Sequence, residues 1–109
     1  MATPTEVVQK QLDAYNAHDI DAFLATYALD AKLRDFPSGD FLIVGHTQLR
    51  ERYSRIFANK AHVDVAERIA NGDYVVNHEF VKTANEEFYA VAIYHVTNGR
   101  IDQVWFLTD

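Results

Sequence analysis

The sequence predicts a single α+β domain, with helices in its first half and a long antiparallel meander in its second. Three observations carry that prediction. Thr3-Pro4-Thr5-Glu6 and Asp19 are helix starts. Apolar residues change from helical spacing to a period of two after Asp30. Asn71-Gly72 and Asn98-Gly99 then punctuate β-rich runs as hairpin turns.

Taken in order, Thr3 to Glu6 forms a capping box with proline at the first helical position, and Val8, Leu12 and Tyr15 recur on one helical face. Asp19 caps a second helix in which Ile20, Phe23, Leu24 and Tyr27 fall at i, i+3, i+4 and i+7. In the strand that follows, Ala31, Leu33 and Asp35 share the apolar side. Pro37-Ser38-Gly39-Asp40 is turn chemistry, 41–44 a short apolar strand, and Gly45 opens a third helix that carries Leu49, Tyr53, Ile56 and Phe57 inward. Runs 61–70, 74–82, 88–97 and 100–107 complete the order ααββαββββ. At 109 residues, 49% of them apolar, the chain can bury an ordinary core as one domain.

Charge and composition exclude several function classes. A formal charge of -6 repels phosphate backbones, so nucleic acid is not an expected partner. Without cysteine there is no disulfide, thiolate site or thiol nucleophile. His18, His46, His62, His78 and His95 show no paired spacing, and no metal or other cofactor is expected. No apolar stretch approaches bilayer length, no membrane association is expected, and the first residues lack a signal-like pattern, so a cytoplasmic location is expected.

The last two strands are apolar on both sides, which points to burial against a second copy and hence a homodimer. If Asn98-Gly99 is a two-residue hairpin, Thr97 pairs with Arg100, which puts Ile93 on the side of Val104 and Ala92 on the side of Trp105. The expectation is that Trp105, Leu107, Ala92 and Tyr94 face a two-fold partner, while Val104, Phe106, Val91 and Ile93 face a pocket.

The stretches 19–22 and 27–31, then Leu33-Arg34-Asp35, Gly45-His46, Tyr53 and Asn98-Gly99-Arg100-Ile101, resemble the ketosteroid isomerase family. The resemblance extends over essentially the whole chain, and to the wider superfamily of nuclear transport factor 2, limonene epoxide hydrolase, scytalone dehydratase and SnoaL-type polyketide cyclases. It implies a cone-shaped, curved antiparallel sheet wrapped on three helices, the cystatin-like roll, around a small-molecule pocket. It places Asp35 where those isomerases keep their catalytic aspartate, and Tyr27 and Tyr53 where two tyrosines support the pocket's hydrogen bonds. The tyrosine that donates to the oxyanion is replaced by Gln11, and the neutral aspartic acid beside it by Val91, or by Ala92 with one gap. Counted from Asn71-Gly72, the pocket side of the next strand carries Val76, His78 and Phe80.

The expected site follows. Asp35 moves a proton, Tyr53 and Tyr27 hold the polar end of a small apolar carbonyl compound, and Gln11 or His78 polarises its oxygen. Tyr15, Phe57, Val76, Phe80, Val91, Val104 and Phe106 supply the lining. Isomerisation, aldol-type cyclisation or dehydration all suit such a site. The plainer alternatives are an Asp35 that ties down the Pro37-Ser38-Gly39 turn, core tyrosines with satisfied hydroxyls, and a non-catalytic ligand-binding or accessory dimer.

Overall fold

Helix α1 (Pro4–Asn16) begins where the capping box sets it: Thr3 accepts the Glu6 backbone N–H, and the Glu6 carboxylate accepts the Thr3 N–H in return. The computed structural model describes residues 2–108. Asp19 caps α2 (Ile20–Ala25) by accepting the N–H of Ala22. This helix is shorter than its apolar spacing predicts. The Ile101 N–H donates to the Thr26 carbonyl at 2.8 Å, so Tyr27 opens strand β1 (Tyr27–Asp35) instead of continuing the helical stripe. Long-range pairing overrides local periodicity there.

Strand β2 (Phe41–Val44) leads directly into α3 (Gly45–Ala58), where Gly45 has a φ of 80° that a side chain would strain. Strands β3 (His62–Asn71), β4 (Tyr74–Lys82), β5 (Glu87–Thr97) and β6 (Arg100–Thr108) form the meander. All six strands make one sheet in the order β2-β1-β6-β5-β4-β3. It is antiparallel except for β1 against β6, which run parallel. The expected α+β roll, a curved sheet over three helices, is thus the observed architecture. Phe23 sits in its core with no exposed surface, its ring centre 4.6 Å from that of Tyr53, 5.0 Å from Tyr27 and 5.5 Å from Phe57.

The predicted turn pairing, Thr97 with Arg100, is present, but the faces beyond it differ from expectation. Val96 pairs with Ile101 and His95 with Gln103, which leaves Asp102 as an extra residue on β6. One extra residue inverts every later pairing, so Ala92 lies opposite Phe106, Tyr94 opposite Val104 and Ile93 opposite Trp105. Ala92 and Tyr94 therefore point inward with Val104 and Phe106, whereas Val91 and Ile93 share the outer face with Trp105 and Leu107. On β4 the inward set is Val75, Asn77, Glu79 and Val81, all buried. Val76, His78 and Phe80, expected toward the pocket, lie on the outer face; the His78 and Phe80 rings pack there against Tyr89 at 5.1 and 4.9 Å.

Candidate functional site

Between the inner sheet face and the helices lies an open-mouthed cavity of about 270 Å³, close to the ~300 Å³ at which small-molecule sites begin. Its deep wall is built by Gln11 and Tyr15 of α1, Tyr53 of α3, Glu79 of β4 and Tyr94 of β5, all buried. Leu33, Val81, Ala90 and Phe106 make the apolar sides, and the more exposed Asp35, Leu42, Arg52 and Thr108 stand at the mouth.

Glu79 is an acid that the apolar alternation of its strand does not single out. Its Oε2 accepts a hydrogen bond from the Tyr94 hydroxyl at 3.2 Å and one from Asn77 Nδ2 at 3.3 Å. Burial pushes its pKa up; the bonds from Asn77 and Tyr94 and the positive charge of Arg68 pull the other way and recover only part of the shift. The phenols of Tyr15 and Tyr53 are also pushed up, first by burial, so both remain O–H donors across the physiological range. The signal that could have revealed Glu79 is a glutamate flanked by Asn77 and Val81 at a spacing of two. Asn77 is itself fully buried, and two polar residues on one buried face imply a hydrogen-bonded network.

Asp35 ends β1 and reaches the same cavity, half-buried. Its Oδ2 accepts from the Ser38 hydroxyl at 2.8 Å, while its backbone N–H donates to Asp40 O and its carbonyl accepts from Gly39 N–H, both at 2.8 Å. It therefore ties the turn and faces the cavity at once. Gln11 lines the cavity with a buried Oε1 that has no hydrogen-bond partner.

Other expected site residues lie elsewhere. Tyr27 is buried behind Phe23 and does not reach the cavity, and Phe57 packs on Tyr15 at 5.2 Å, one layer back. Val104 is a core residue beneath the cavity wall. His78, Val76, Phe80 and Val91 are on the far side of the sheet, removed by strand parity. The remaining histidines have partners away from the cavity: His18 Nε2 contacts the Ala61 carbonyl at 2.6 Å, His46 Nε2 the Tyr27 carbonyl at 2.9 Å, His62 Nε2 the Asp64 carboxylate at 3.1 Å, and His95 Nδ1 the Asp102 carboxylate at 2.6 Å. Among the described residues no group of three or more His, Cys, Asp or Glu side chains is placed to hold a metal ion. Among the described residues no helix is long and apolar enough to cross a membrane.

The architecture is similar to that of several solved structures. A cystatin-fold protein from Novosphingobium aromaticivorans is 24% identical with a TM-score of 0.91, over 98% of this chain and 99% of that one. A protein of ketosteroid isomerase-like fold from Catenulispora acidiphila, in complex with trimethylamine, is 18% identical with a TM-score of 0.77, over 97% and 86%. An epoxide hydrolase from M. tuberculosis, similar to limonene epoxide hydrolase, is 18% identical with a TM-score of 0.82, over 97% and 82%. At such identities the likeness speaks for the fold alone. No curated protein matches the chain in sequence. The SnoaL-like domain family, in contrast, matches residues 8–104, nearly the whole chain, and the protein belongs to that family.

Proposed function

We propose that the cavity binds a small, mostly apolar carbonyl compound and moves a proton on it without a cofactor. The observation that carries this reading is a pair of carboxyl groups in contrasting surroundings on one apolar cavity, Glu79 buried at its depth and Asp35 half-buried at its mouth. A deeply buried acid and a more exposed one can divide the labour of proton transfer between them. Asp35, the more exposed of the two, takes a proton from the carbon beside the carbonyl. Glu79, whose neutral form burial favours, stands with Tyr15, Tyr53 and Gln11 to donate to the oxygen on which charge develops. Isomerisation, cyclisation and dehydration all begin with this step. Tyr27 and His78 have no part in it, because neither reaches the cavity.

The outer face bearing Val91, Ile93, Trp105 and Leu107, with Tyr74 at 45% exposure, is the surface we assign to a second copy of the chain.

A thermal-shift panel of cyclic ketones, lactones and trimethylamine tests the site. A ligand present at 100 times its Kd should add about 2.7 kcal/mol of stability. Ala90→Phe, which fills the cavity from β5, should remove that gain. Ligands that protect Ala90→Phe and the wild type equally would place binding elsewhere.

A further inference from the structure

Glu79 is the end of a longer chain of polar groups that begins on the surface of α1. Gln9 Nε2 donates to Asp13 Oδ1 at 2.8 Å, which turns the Gln9 Oε1 toward Arg68, whose Nη1 donates to it at 2.8 Å. Arg68 Nε donates to Asn77 Oδ1 at 2.7 Å, across the β3–β4 pair in which these two residues are directly opposite. With its oxygen engaged, the Asn77 amide can offer only N–H to Glu79, and it does so at 3.3 Å. Each amide orientation is thus fixed by the group before it.

Two features make this more than a structural tie. Among the described residues Arg68 has no carboxylate within salt-bridge distance, and its buried Nη2 has no partner at all. A half-buried guanidinium without a counter-ion is costly unless an anion further along the network balances it. Glu79 is that anion when it ionises. The other groups around Glu79 do not serve: Tyr94 from β5, Tyr15 from α1, Tyr53 from α3 and Tyr27 from β1 are phenols that burial keeps neutral, and at the cavity mouth Arg52 from α3 is a cation while Asp35 from β1 is not within salt-bridge distance of Arg68.

We propose that Arg68, acting through the amide of Asn77, is the positioning residue of the site: it aims an N–H at Glu79 and supplies the positive charge that lets this carboxyl release its proton. A buried glutamate alone would hold its proton too tightly to cycle. Arg68 brings proton release back toward the working pH, where acid catalysis is most effective. The proposal rests on the reading of the cavity as the site, but its test needs no ligand.

The test is a carbon-13 NMR titration of the Glu79 carboxyl in the free protein. Arg68→Met should move the titration midpoint about one pH unit upward, the low end of the effect of a nearby opposite charge. Arg68→Gln, which can still bond Asn77, should do nearly the same, and Arg68→Lys, which keeps the charge, should restore most of the wild-type value. Asn77→Leu, which removes the aimed N–H, should by itself raise the midpoint, and Arg68→Met in that background should still add the through-space part of its effect. An unchanged midpoint in folded Arg68→Met or Arg68→Gln overturns the proposal while leaving ligand binding untouched. A panel in which nothing binds removes the binding reading and leaves the titration result standing.

Discussion

A carboxyl as buried as that of Glu79 makes the molecule's stability depend on pH in a definite direction. Its native pKa is raised above the ordinary 4.5, so the folded state holds this proton longer than the unfolded chain does. Below that ordinary value both states are protonated and nothing is lost. As pH rises through the window above it, the folded state loses stability until Glu79 itself ionises. Glu79→Gln keeps the shape and removes the titration. In urea unfolding, the variant should therefore gain on the wild type as pH rises from 4.5, by about 1.4 kcal/mol per pH unit within that window. A pH-independent difference would show that Glu79 titrates like an exposed carboxylate. Asp35 was legible at this scale because it stands on a clean apolar alternation with Ala31 and Leu33. Glu79 was not, because its strand carries the opposite signal.

That strand shows how an element can mislead. In β4 the set Tyr74, Val76, His78 and Phe80 is more apolar than Val75, Asn77, Glu79 and Val81, yet the second set faces inward. Alternation points to the buried side only when the buried side is the apolar one. Here the inner face holds a polar network and the outer face is apolar. The β5–β6 hairpin failed for a different reason. Its turn was legible from Asn98-Gly99, but the bulge at Asp102 has no sequence signature, and one unpaired residue exchanges the two faces of everything beyond it. The corrected faces have a direct consequence. Ala92 has no exposed surface, so Ala92→Glu would bury an unpaired charge, a loss of several kcal/mol, and the protein should fail to fold by circular dichroism. Ile93→Glu, one residue away on the outer face, should fold normally, and on the proposed pairing of two copies through that face it should sediment as a monomer while the wild type sediments as a dimer. Matching behaviour of the two variants would return the faces to the arrangement that a regular hairpin gives.

The whole molecule was the most legible scale. Element order, the α+β class and the cover of one sheet face by three helices all follow from helix caps, two periods and two turns. What makes it a container is less visible in the chain, because the cavity arises from curvature and from the parallel closure of β1 onto β6, a contact between residues about 70 positions apart. The arrangement that results places an acid at the depth of an apolar space and a second one at its mouth. On the proposed function these two exchange a proton with a bound carbonyl compound. Hydrogen–deuterium exchange at the carbon beside the carbonyl of small cyclic ketones, followed by proton NMR in D2O, measures that step. The wild type should accelerate the exchange, and Asp35→Asn should reduce the acceleration by about 10²-fold or more while ligands still bind. Equal exchange in wild type, Asp35→Asn and protein-free buffer, with the ketone demonstrably bound, would rule out proton transfer by Asp35 and leave the cavity as a binding site without chemistry.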